Sequence, residues 1–255
     1  MAVARSSRTC ELADAVSQLL LFAPPPKRGG KRAGAGRKPK SRRASSRNQK
    51  RPELNGRDPI HVTLRVTSAV GNLRRREAYR AIREATLTTA RRERFRIVHL
   101  SIQRTHLHLL VEAEDKTALA AGMQGFQISA AKHLNAAVGK ERGGARRRGT
   151  VFPDRYFAVV VTSPRQARHT LSYVMNNWRK HDEQREPGRE HWTIDWFSSA
   201  SSFPDWREYG DALFMWRRPA QYEPLVVYRP RTWILRVGWK LHGLISCHEV
   251  PSAKE

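Results

Sequence analysis

Between residues 58 and 182 the spacing of apolar residues changes several times, and each change marks an element. Ile60, Val62, Leu64 and Val66 alternate with His61, Thr63 and Arg65, the pattern of a half-buried strand. Residues 74–92 are charged and alanine-containing and predict a helix. Two strands follow at 95–103 and 106–113, joined by a short turn at Arg104-Thr105. Leu119, Met123, Phe126, Ala130 and Leu134 recur at three and four residues, which gives an amphipathic helix. A Gly/Arg loop at 140–148 leads to a strand at 156–161. Ser163-Pro164 then supplies an N-cap with proline at the first helical position, opening a helix to about His181. The order β-α-β-β-α-β plus a further helix predicts an α+β, ferredoxin-like antiparallel sheet. Helices cover one face, and the other is free for a ligand.

The chain changes character on either side. From Lys27 to Arg51 there are 12 basic residues and no acid, interspersed with Gly, Ser, Ala and Pro. Residues 24–59 cannot bury a core and read as a disordered basic arm, either a phosphate-gripping arm or a solvated linker. Residues 185–255 hold six of the seven tryptophans, with prolines and short strand-like pieces such as 232–237. Tryptophans there build a small core or pack onto the main domain; base stacking is the alternative. The expected division is an N-terminal segment at 1–57, a central domain at 58–184 and a Trp-rich extension at 185–255.

Charge narrows the class of partner. The 255 residues include 48 Lys and Arg against 23 acids, a formal charge of +25. Residues 1–51 carry 14 basic and 2 acidic residues and the remainder 34 and 21, so the excess belongs to the whole chain. Such a field suits a polyanion, whose counterions are released on binding. Arginine outnumbers lysine 37 to 11, which favours bidentate phosphate contacts, although GC-rich coding gives the same bias. Cys10 and Cys247 cannot form a disulfide framework or a four-thiolate zinc site. No apolar run reaches the roughly 18 residues of a membrane span. Residues 19–23 make a poor secretory signal, with Glu11 and Asp14 before them and three prolines after. The expectation is a soluble, cytoplasmic, nucleoid-associated protein that binds nucleic acid.

Two short segments could carry chemistry. In Thr105-His106-Leu107-His108-Leu109-Leu110-Val111, the leucines and valine point to the helices, while His106 and His108 project together from the other face. Two imidazoles side by side on a strand are half of a divalent-metal site; an H-x-H pattern alone is weak evidence. In the helix after the last strand, Ala167, Leu171, Val174, Met175 and Trp178 form the apolar stripe. Tyr173 and Asn177, four apart, sit together at its rim. Taken alone they are a rim tyrosine and a solvated asparagine.

Together, H-x-H on a central strand, then a strand, then a helix with Tyr-x-x-x-Asn resemble the single-tyrosine HUH transposases. The likeness is to the group associated with repetitive extragenic palindromes (REP). Its Asn-His-x-His-Leu-Leu and Tyr-Ile-x-x-Asn patterns read here Thr105-His106-Leu107-His108-Leu109-Leu110 and Tyr173-Val174-Met175-Asn176-Asn177. Phe152-Pro153-Asp154-Arg155-Tyr156 is similar to the family's Phe-x-x-Arg-Tyr segment. Thr105 stands where asparagine is usual, which leaves both histidines intact. The resemblance covers residues 58–182. It implies a Mg²⁺- or Mn²⁺-dependent DNA endonuclease and transposase that cuts and rejoins single-stranded or hairpin DNA through a 5′-phosphotyrosine. His106, His108 and Asn177 would be the metal ligands and Tyr173 the nucleophile, with a homodimer compatible and no membrane partner. Tyr156 is the rival nucleophile, in a strand context that favours packing. His169 and Lys180 lie near Tyr173's side of the helix, as bases or as surface residues.

Two other functions stand beside this one. A non-catalytic nucleic-acid binder could use the same sheet, although its strands lack the paired aromatics of an RNA-recognition surface. An unrelated metal hydrolase using H-x-H would need a second ligand cluster, and His61 and His99 stand isolated in the sequence.

Overall fold

The computed structural model describes residues 53–251, apart from 212–213 and 215–218. The basic arm up to residue 52, the stretch 19–23 and Trp216 lie outside the described residues. In chain order the elements are β1 (Ile60–Arg65), α1 (Arg76–Thr89), β2 (Arg91–Arg92), β3 (Phe95–Ile102), β4 (His106–Ala113), α2 (Lys116–Glu141), β5 (Phe157–Val160), α3 (Pro164–Lys180) and α4 (Trp233–Arg236). The sheet runs β2-β3-β4-β1-β5 and every pair is antiparallel. This is the ferredoxin-like order, with the two-residue β2 added at one edge.

Sequence pattern accounts for the first layer. Ile60, Val62 and Leu64 of β1 and Leu107, Leu109 and Val111 of β4 are all buried beneath α1 and α2. Helix α2 is longer than its apolar repeat predicts; Asp115 sets its start by accepting from the Ala118 N–H at 2.8 Å. Gly122 lets this helix close onto the sheet: a Cβ there would lie 2.2 Å from the Phe95 ring.

The second face of the sheet is not bare. Helix α3 lies across it, and the stretches 195–203 and 227–232 roof β3 and the far half of β4. Ile102 N–H donates to Phe197 O at 2.9 Å and Tyr228 N–H to Ile97 O at 3.0 Å, along the outer edge of β3. His99 is buried with its Nδ1 3.2 Å from the Ser199 hydroxyl. The Glu112 carboxylate accepts from the Arg231 N–H, the Thr232 N–H and the Thr232 hydroxyl, at 2.8–3.0 Å. Residues 232–237, read from sequence as strand-like, instead form the short helix α4. The Glu112 carboxylate lies just ahead of its first residue, where it fixes the entry of the chain through the Arg231 and Thr232 N–H groups.

The tryptophans of the extension pack, as the first of the two sequence readings holds. Trp196, Trp206 and Trp239 are buried, while Trp233 stays exposed. Arg74, at the start of α1, ties this layer down: it donates to Ile102 O at 2.9 Å and to both Asp195 oxygens at 2.9 and 2.8 Å. Glu183 also touches it. Removing one partner of a buried ion pair costs about 3–5 kcal/mol. Among the described residues no helix is long and apolar enough to cross a membrane.

Candidate active site

What the roof leaves clear on the second face is the histidine end of β4, facing α3, with its neighbours on β1 and β5. In the β1–β4 register Thr63 stands opposite His108 and Arg65 opposite His106. The Nε2 atoms of His106 and His108 are 3.0 Å apart. The other nitrogen of His108 is held from behind, 3.2 Å from His61 Nε2 and 3.3 Å from Thr63 Oγ1. His61, isolated in the sequence, is therefore part of the cluster. The alternation of β1 already places it on the polar face; pairing with β4 brings that face to His108.

Burial, followed by the charges of His181 and Arg65, pushes His106 down to about 4. Burial, then His61, His106, His181 and Lys180, pushes His108 down to about 2. Both imidazoles are neutral at physiological pH, and a neutral ring nitrogen keeps the lone pair a metal needs.

The facing wall is α3. Ser163 accepts from the Gln166 N–H at 3.2 Å with Pro164 following, as its sequence signal predicts. Ala167, Leu171, Val174, Met175 and Trp178 are buried and fix the rotation of the helix. That rotation brings the Tyr173 ring 5.0 Å from the His108 ring and 5.8 Å from that of His61. Lys180, one turn beyond Asn177 toward the helix end, holds its ammonium 5.3 Å from the centre of the Tyr173 ring. Burial raises the Tyr173 phenol above its ordinary range, and the Asn177 amide acts against that rise.

Asn177 is fully buried, yet neither of its amide atoms has a hydrogen-bond partner of normal geometry. A buried polar group in that state costs about 1–3 kcal/mol, and such exceptions need a reason. A metal ion supplies one. Adjacent ligands about 2.1 Å from one octahedral ion stand about 3.0 Å apart, the spacing of the two Nε2 atoms. The spacing of the two neutral imidazoles fits two adjacent ligands of a divalent cation, and the buried Asn177 amide lies one helical turn from Tyr173.

The other candidates lie elsewhere. Tyr156 is buried and lines a cleft with Gln124 and Gln127 of α2. His169 is exposed. Glu208, Cys247 and His248 form a second donor group, with ligand atoms within 4.8 Å of one another. Both Glu208 oxygens are engaged there, by the Ser246 hydroxyl and by the Cys247 N–H at 3.0 Å. Burial and the Glu208 charge push the Cys247 thiol up to about 12. These contacts make the group an anchor for the turn at 246–249.

Sequence comparison bears on the segment that carries this arrangement. Residues 60–177 match the family described as IS200-like transposases. The match runs from β1 to Asn177, just under half of the chain, and supports a transposase role with DNA as the class of partner. No curated protein matches the chain. Among solved structures it is similar to a REP-associated tyrosine transposase bound to a REP hairpin, at 15% identity and a TM-score of 0.41, over 52% of this chain and 73% of that one. It is also similar to a candidate transposase from Deinococcus radiodurans R1, at 13% identity and a TM-score of 0.32, over 56% of this chain and 98% of that one.

Proposed function

We propose that the protein cuts and rejoins single-stranded DNA, with Tyr173 as nucleophile and His106, His108 and Asn177 holding Mg²⁺ or Mn²⁺. The observation that carries this reading is the pairing of two converging Nε2 atoms with an unpartnered buried amide, both beside one phenol. A bound divalent ion would draw charge from the non-bridging oxygens of the phosphate and orient it for in-line attack.

The chain's own residues do the rest. His61 and Thr63 hold Nδ1 of His108, so that its Nε2 turns toward His106. Lys180 places a positive charge beside the phenol as its proton leaves to water. Tyr173 Oη forms a bond to phosphorus while the bond from phosphorus to the 3′ oxygen breaks. That oxygen takes up a proton and leaves as a 3′-hydroxyl, and the downstream strand remains on Tyr173 through its 5′-phosphate. The bond energy is conserved, so a 3′-hydroxyl from another end can reverse the step and join strands without ATP.

The test is to incubate the full chain with single-stranded hairpin DNA and Mn²⁺, the strand labelled at either end. A covalent adduct carrying the 3′-end label, absent with EDTA and with Tyr173→Phe, is the expected result. An adduct that persists in Tyr173→Phe, or that never forms with any divalent ion, overturns the reading.

A further inference from the structure

Phe157, at the start of β5, is 67% exposed. Isolated apolar side chains on a surface are ordinary, and Leu87 and Ile128 are exposed in the same way. The register sets Phe157 apart. Thr63 stands opposite His108 on one side and opposite Phe157 on the other. Residues directly opposite in a sheet share a face, so His108, Thr63 and Phe157 form one row across β4, β1 and β5, on the histidine face. Two strand spacings put Phe157 about 10 Å from His108 along that row. The alternate residues Ala158 and Val160 stand opposite Val62 and Ile60, on the core side.

The surroundings suit a polyanion with an aromatic component. Arg65, exposed in the neighbouring row, lies beside His106. Among the described residues no carboxylate forms an ion pair with it. Lys180 lies over Tyr173 at the other end of the row. A flat ring at one end and cations around the reacting group is the arrangement that holds an unpaired nucleotide: the base stacks and the phosphates meet the charges.

We infer that Phe157 is the stacking platform for an unpaired base next to the scissile phosphate, and that single-stranded DNA crosses the sheet along the row from β4 to β5. The inference rests on the proposed DNA chemistry, but it concerns binding, which needs no covalent step.

The experiment is a cycle read by fluorescence anisotropy, using the full chain and a hairpin oligonucleotide with unpaired flanks. Each unpaired nucleotide is replaced in turn by an abasic sugar. Phe157→Ala should weaken binding to intact DNA roughly 5- to 150-fold, the worth of one stacked base. At one position near the cleavage point the abasic sugar should cost wild type about as much and cost Phe157→Ala nothing further. Phe157→Trp should restore affinity, which a folding defect would not allow. Losses that simply add at every position, or an unchanged affinity in Phe157→Ala, overturn the inference. So does a loss accompanied by conversion of a dimer to a monomer in light scattering, since β5 would then be a subunit interface. A coupled cycle without any adduct leaves the platform standing and removes the tyrosine chemistry; an adduct without coupling does the reverse.

Discussion

On one flank of α3, Arg168, Ser172, Asn176 and Arg179 hold the turn at 246–249. On the other, Tyr173 faces the histidines of β4 and β1, with Asn177 one turn further along the helix. The first flank spends its donors on the turn it grips, although Asn176 Oδ1 has no partner. Asn176 donates to Ser246 O at 2.9 Å, Ser172 to Glu249 at 3.0 Å, Arg168 to Glu249 at 2.7 Å and Arg179 to Cys247 O at 2.7 Å. The second flank faces two neutral imidazoles whose Nε2 atoms lie 3.0 Å apart, and its own buried amide makes no hydrogen bond of normal geometry. Similar side chains on one helix thus divide into a clamp, whose donors are used within the fold, and a site whose amide no hydrogen bond of normal geometry engages. Burial does not separate them, because Asn176 and Asn177 are equally inaccessible. Partners do.

The comparison breaks most sharply at the reacting groups. Tyr173→Phe should leave no detectable adduct while preserving the fold and DNA binding. His106→Ala should lower the cleavage rate by about 10³-fold, as expected if an ion contributing several kcal/mol is lost. Gel assays of adduct and of hairpin binding check both. Equivalent losses from Ser172→Ala would show that the clamp flank is the chemical one.

A smaller effect is expected one layer back. His61→Ala leaves His108 Nδ1 with Thr63 alone, and should weaken Mn²⁺ binding by about 10- to 100-fold. Titration calorimetry of the full chain measures it. An unchanged affinity would reduce His61 to packing.

The two asparagines sharpen the contrast through stability. Asn177→Leu removes an unsatisfied buried amide, so the fold should gain about 1–3 kcal/mol in urea unfolding while Mn²⁺ binding falls. Asn176→Leu strands the Ser246 carbonyl and should lose a similar amount. If both variants destabilise alike, the distinction between the flanks fails.

The smallest effect is the response of the clamp to acid. Glu249 titrates below its ordinary range: burial opposes the shift, and the hydrogen bonds from Arg168, Ser246 and Ser172 with the Arg168 charge outweigh it. A carboxylate lowered in the folded state adds stability above its unfolded value, about 4.3, and loses it as the pH falls through the folded one. Glu249→Gln should therefore melt below wild type at about pH 6, with the gap closing toward about pH 3. A gap that persists in acid would mean that shape, not charge, holds the turn.

The sequence makes some of this plain for identifiable reasons. The alternation from His106 to Ala113 coincides with β4, and Ser163-Pro164 marks the start of α3, because local periodicity and capping dominate there. His61 joins the cluster only through the β1–β4 register, a pairing between residues 47 apart, so no local pattern announces it. The short helix α4 departs from a strand-like pattern where a distant carboxylate, Glu112, pins the two residues that lead into it. Nor can any pattern tell Asn176 from Asn177; the difference is Ser246, some 70 residues on.

The roof over β3 and β4 has a consequence for how such a chain can diverge. Arg74, His99 and Glu112 lie inside the segment shared with the transposase family, yet they are complemented by Asp195, Ser199 and Thr232, which lie beyond it. A lineage that shed the C-terminal stretch would inherit a stranded guanidinium, imidazole and carboxylate on an uncovered sheet. Loss of the tail and replacement of those three side chains by apolar or solvated ones therefore have to travel together. Relatives of different length should differ in concert at positions 74, 99 and 112, deep within what looks like their common domain.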